Sequence, residues 1–234
     1  MHPERDEVEL GAPARLGRRK FGTLAAAGAA ATWVAPSVVG LDRVGAATPS
    51  SGTAFSYFED FQSTIGNSDA AWSTTQTVTA PLDPSRRLLG EFDRTSVATL
   101  TLNLPVHTTL EVCFELVTIR SWDGIGDNFR VDIDGTNEFN ESFAADFLNS
   151  GQFGTRRQSF GPNPTNPPAT GASEINTLGF FWANLPADAV YEICIGPIPH
   201  TANIAEIDFL GVMRGRGGIN DESWAIDNVQ IHAC

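Results

Sequence analysis

The chain has 234 residues, with 28 Asp and Glu against 15 Lys and Arg, for a formal net charge of −13. Past residue 47 the imbalance sharpens: nine arginines and no lysine face 23 acids, a net of −14. Such a field repels phosphate backbones and anionic membrane surfaces, which argues against nucleic acid as a partner, and it suits solubility and divalent cations.

Residues 1–20 are charged and end in Arg18-Arg19-Lys20, followed by a mildly apolar, Ala/Gly-rich run over 21–41 and the small-residue stretch Gly45-Ala46-Ala47. That is the layout of a bacterial export signal cleaved after about Ala47. The paired Arg18 and Arg19 point to the twin-arginine route. Pro36 and the Ala/Gly content make 21–41 a poor permanent anchor. The expectation is a secreted or cell-envelope protein with no membrane span in its mature part, since no later stretch reaches the ~20 apolar residues a spanning helix needs.

Residues 48–55 read as a Ser/Thr/Gly linker and 56–234 as the folded domain. A first strand is predicted at 56–61, then a polar, turn-rich stretch over 62–85 and a short strand at 88–92. Alternation of apolar and polar residues predicts strands at 98–104 and 108–119. In the second of these, Leu110, Val112, Phe114 and Leu116 share one face and Glu111, Cys113 and Glu115 the other. Ser121–Asp127 reads as a loop and 129–135 as a strand that ends in the hairpin signal Asp134-Gly135. Residues 140–148 fit either strand or short helix, and 149–173 form a long loop. Leu178–Trp182 is an aromatic, buried stretch, and three more strands follow at 189–195, 203–213 and 224–233. Pro105-Val106-His107-Thr108 and Pro199-His200-Thr201 echo each other as matched turns at one end. About nine short strands with no convincing amphipathic helix predict an all-β, two-sheet antiparallel sandwich of the jelly-roll type.

Two motifs, Ser121-Trp122-Asp123-Gly124 and Asp221-Glu222-Ser223-Trp224-Ala225-Ile226-Asp227-Asn228-Val229, resemble those of secreted bacterial jelly-roll modules. The likeness is to the concanavalin A-like lectin sandwich, with a last strand similar to that of MAM-type adhesion domains, and it covers about residues 56–234. It implies extracellular binding or adhesion.

The acids of these motifs form the main candidate site. Asp123, Asp127, Asp221, Glu222, Asp227 and Asn228 supply the hard oxygen ligands that calcium takes, provided the two loops meet at one end of the sandwich. Asp227 and Asn228 are adjacent, so a regular strand points them to opposite faces, and the inward one needs a partner, a bulge or a metal. The same residues also serve as turn caps that accept backbone N–H bonds. Trp122 and Trp224 are candidates for stacking on sugar rings, or else for core packing. Arg156 and Arg157 are candidates for gripping an acidic ligand group, or else for a solvated loop.

Carboxylate pairs were weighed for hydrolysis. Glu111 and Glu115 lie ~13 Å apart along one strand face, beyond glycosidase separations, whereas Asp132 and Asp134 lie ~6.6 Å apart but abut a hairpin. Three cysteines, Cys113, Cys194 and Cys234, allow one bridge and one free thiol; Cys113–Cys194 and Cys113–Cys234 both stay open. The reading is therefore an exported, non-catalytic binding module for an extracellular glycan or surface protein, with a calcium ion at the loop ends. A concanavalin-like glycoside hydrolase and a structural surface protein without a small ligand are its alternatives.

Overall fold

The computed structural model describes residues 54–146, 156–215 and 217–234. The export-signal reading over 1–47, with Arg18 and Arg19, lies outside the described residues, as does most of the 48–55 linker. The strands are β1 (Phe55–Glu59), β2 (Ala70–Trp72), β3 (Thr77–Ala80), β4 (Asp83–Phe92), β5 (Val97–Asn103), β6 (Thr109–Arg120), β7 (Asp123–Ile133), β8 (Thr136–Ala144), β9 (Glu174–Ile175), β10 (Phe181–Trp182), β11 (Leu185–Pro186), β12 (Asp188–Pro199), β13 (Ile204–Val212) and β14 (Glu222–Ala233). A 3-10 turn at Gly218–Asn220 precedes β14.

Two antiparallel sheets pack face to face. One runs β3-β4-β14-β6-β12-β9, with β1 also pairing β14; the other runs β2-β5-β13-β7-β8. The eight long strands thus alternate as β4-β14-β6-β12 and β5-β13-β7-β8, which is the double Greek key of a jelly roll. The expected sandwich is what forms, and its cause is visible in the strands. Leu110, Val112, Phe114 and Leu116 of β6 enter one core from the first sheet, opposite Ala98, Leu100 and Leu102 of β5 and Phe129, Val131, Ile207 and Phe209 of the second. The Asp134-Gly135 turn has positive φ at both residues (50° and 75°), the type I′ geometry that matches strand twist.

The differences from expectation are local. Residues 136–144 are strand, so the open choice over 140–148 falls to strand as far as Ala144. β2 and β3 occupy the stretch read as polar and turn-rich. β7 starts at Asp123, inside the expected loop, but its pairing with β8 is interrupted between Asp123 and Asn128. Gly124 and Gly126 hold positive φ there, and at Gly124 a Cβ would strike the Arg157 carbonyl. Of the aromatic stretch, Leu178 and Phe180 are buried, whereas Phe181 is exposed. Leu178 and Phe180 cover Val117, Ile119, Val190 and Ala225 on the outer face of the first sheet, forming a second small core.

β14 carries the one irregularity that positions its acids. Its register against β6 shifts between Asp227 and Gln230, and Asn228 adopts φ 49°. That bulge inserts one extra residue. It lets Trp224 and Ile226 before it, and Val229 and Ile231 after it, all face the core.

Candidate metal centre

Topology brings the two motif loops together. β6 neighbours β14 in one sheet and β7 neighbours β13 in the other. The β6–β7 and β13–β14 connections both cross between sheets at the same end, so they must run side by side. Ser121 joins them: its N–H donates to the Asp221 carbonyl at 2.9 Å and its hydroxyl to Asp221 Oδ1 at 2.8 Å. Asp127 joins them again. Its Oδ2 accepts from the Asp123 N–H and its Oδ1 from the Arg214 N–H, both at 2.8 Å. Glu222 accepts from the Gly215 N–H at 3.2 Å.

Carboxylate oxygens of Asp123, Asp127 and Glu222 lie within 4.8 Å of one another. Asp221 adds a fourth acid: Gly215 packs against both Glu222 and Asp221, a Cβ there lying 2.6 Å from Glu222 Oε2 and 3.1 Å from Asp221 Oδ2. The four line an open cavity of about 370 Å³ with Ile125, Arg214 and Gly215. Arg156 reaches in from the long loop, paired with Asp123 and donating to the Trp122 carbonyl at 3.3 Å. Burial, then the Asp127, Asp123 and Asp221 charges, push the Glu222 carboxyl up to about 8, although the Gly215 amide opposes this. Burial also raises Asp123, with Arg156 pulling the other way. Four acids gather here against Arg156 and Arg214, and their donors are all hard oxygens, a set that could hold a metal ion.

Two of the six expected ligands are elsewhere. Alternation after Trp224 and Ile226 points Asp227 to the outer face of the first sheet, where Arg86 bonds it at 3.2 Å and also pairs with Glu174 at 2.8 Å and with Glu115, and the bulge keeps Asn228 out of the core as well. Burial lifts the Asp227 carboxyl to about 6, outweighing the Asn228 N–H and Arg86. Asn228 lines a separate cavity of about 200 Å³ on that face with Glu115, Glu192, Gln230 and the two bridged cysteines. Nothing in the sequence marked Arg86 as the hub of this network.

Trp122 and Trp224 are fully buried and so are withheld from any sugar. The Trp122 indole N–H donates to the Ser223 carbonyl at 2.7 Å and that of Trp224 to the Asp93 carbonyl at 3.2 Å. Both rings tie down the acidic loops through these bonds. Arg156 belongs to the acidic site itself. Arg157 is exposed and donates to the Arg156 carbonyl at 2.7 Å. Of the acids weighed for hydrolysis, Glu115 is held by Arg86, Asp132 by Arg130 and Asn137, and Asp134 by His200.

Cys113 and Cys194 stand directly opposite in β6 and β12 and are bridged, which decides between the two pairings left open. Gln230 is the β14 residue opposite Cys113, so Cys234 lies too far along its strand to compete; it is free and exposed. Among the described residues no helix is long and apolar enough to cross a membrane.

No protein-family model matches the chain, and no curated protein matches it. Among solved structures it is similar to dimeric latent PorU from Porphyromonas gingivalis, at 12% identity and TM-score 0.39, over 75% of this chain and 14% of that one. It is also similar to the catalytic domain of a GH87 alpha-1,3-glucanase in complex with nigerose, at 13% identity and TM-score 0.29, over 76% of this chain and 28% of that one. The chain thus spans only a minor part of either protein.

Proposed function

We propose that the chain is an exported, non-catalytic binding module in which a calcium ion ties the β6–β7 loop to the β13–β14 loop. The ligand in this reading is an extracellular glycan or surface protein, met at the same end. The observation that carries the metal is the trio Asp123, Asp127 and Glu222, with ligand atoms within 4.8 Å of one another. These residues and Asp221 would hold the ion, whose charge would relieve the crowding of four acids and add a tie between the two connections beside the Ser121–Asp221 bonds. The resemblance to concanavalin A-like and MAM-type modules belongs to this reading, and both motifs that carry it meet at the cluster. Export is supported by the Cys113–Cys194 disulfide, a bond that persists in oxidising compartments.

Thermal melting with added calcium, then with chelator, tests the metal. Saturating calcium at about 100 times Kd adds about 2.7 kcal/mol, and an unchanged midpoint removes calcium from the reading. A glycan array probed with the calcium-loaded protein tests the ligand class; a silent array moves the reading to a protein partner.

A further inference from the structure

The pole opposite the carboxylates, a β6 length of ~36 Å away, is closed by side chains that the binding reading does not use. His107 precedes β6, His200 follows β12 and Asp134 sits in the β7–β8 turn. His107 Nδ1 lies 2.7 Å from the Pro105 carbonyl, His107 Nε2 lies 2.6 Å from His200 Nδ1, and His200 Nε2 lies 2.9 Å from Asp134 Oδ2. The two rings lie near-parallel, edge to edge, with centroids 4.9 Å apart, and both residues are buried.

The proton count follows from the two ends. A carbonyl oxygen only accepts, so His107 Nδ1 carries a proton. The ring-to-ring contact needs one proton between its nitrogens, and the Asp134 contact needs another. Three hydrogen bonds hold three protons, whereas two neutral imidazoles own two.

We infer that His107, His200 and Asp134 form a proton-operated clasp that stores one proton beyond those of two neutral rings. With that proton the chain is complete, and the Asp134 carboxylate is balanced. Without it, two protons serve three contacts, and one ring lone pair must face the Pro105 carbonyl, the other ring or the Asp134 carboxylate. With a fourth proton, two N–H groups meet head-on between the rings. The clasp joins the entry to β6, the β7–β8 turn and the exit of β12, so its opening loosens this one pole.

Other groups facing it are few. Asp134 Oδ1 accepts from the Glu206 N–H of β13 at 2.9 Å, with the Glu206 side chain exposed. His200 N–H donates to the Thr108 carbonyl at 3.1 Å, and Thr108 N–H to the Cys234 carbonyl at 2.6 Å, with the Cys234 thiol exposed. Glu111 and His232 stand opposite each other in register on the outer face at the same end.

The test uses the full chain and Asp134→Asn. Asparagine suits the positive φ before Gly135, so the turn is kept. Its amide N–H donates to His200 Nε2, which completes the same chain with only two ring protons. Imidazole ¹⁵N shifts at about pH 6 are expected to count three ring protons in the native chain and two in the variant. As pH rises, protection of the His200 and Glu206 amides from exchange is expected to fall about tenfold in the native chain and to stay level in the variant. Two ring protons in the native chain throughout about pH 5–9, or matching protection profiles in both proteins, overturns the clasp.

Discussion

Ser121 and Asp221, separated by 100 positions, are joined by their side chains and by a backbone hydrogen bond at the end of the sandwich where the acids gather. Ser121 is buried, so nothing replaces its hydroxyl once removed. Ser121→Ala is expected to cost about 1–2 kcal/mol in urea unfolding at unchanged m value. It should also blunt the calcium response, because Asp221 is then no longer held toward the cluster.

Glu222 sits at the centre of the crowded acids, and its removal separates their mutual repulsion from their use. At a pH above about 8, where the Glu222 carboxyl is ionised, Glu222→Gln is expected to melt higher than the native chain in chelator, since one of four like charges is gone. Its calcium-dependent rise in Tm should shrink by at least half, equivalent to about a tenfold loss of affinity. A full calcium response in this variant would place the ion elsewhere.

Asp227 gives a pH dependence with a definite sign. Its carboxyl is raised to about 6 in the folded chain, against about 4 unfolded. The folded state therefore keeps a proton that the unfolded state releases first. The stability this gives is fully present below about pH 4 and is lost as pH rises through about 6. Asp227→Asn is expected to flatten the profile of stability against pH across that window, measured by denaturant unfolding at fixed ionic strength.

The bridge between Cys113 and Cys194 closes a separation of 81 positions. Cys194→Ser is expected to destabilise the sandwich by about 2–4 kcal/mol. Under native, oxidised conditions a thiol-alkylating reagent should add once, at Cys234, as read by intact and peptide mass. Labelling at Cys113 in the unreduced protein would count against the pairing.

Much of the architecture was legible along the chain. Alternation in Ala98–Leu104 and in Leu110–Leu116 states which face is buried, because successive side chains of a strand point to opposite sides of the sheet. Asp134-Gly135 states its own turn, because few residue pairs adopt positive φ twice. That Ser121–Asp127 and Asp221–Glu222 are acidic loop ends was equally local information.

Which acids meet was decided only by the three-dimensional arrangement. Adjacent Asp227 and Asn228 suit two more ligands, but Asp227 faces outward to Arg86, distant in sequence and supplied by β4, and a bulge keeps Asn228 on that side too. Trp122 and Trp224 were equally suited to a sugar or to a core until the packing of two sheets enclosed them. Cys113 had two possible partners until the β6–β12 register set Cys194 opposite. His107 and His200 were visible as matched turns, but not as a hydrogen-bonded pair. Local sequence dictates local geometry through sterics and burial period; the choice of a partner far along the chain depends on sheet order and register, which are properties of the whole packed core.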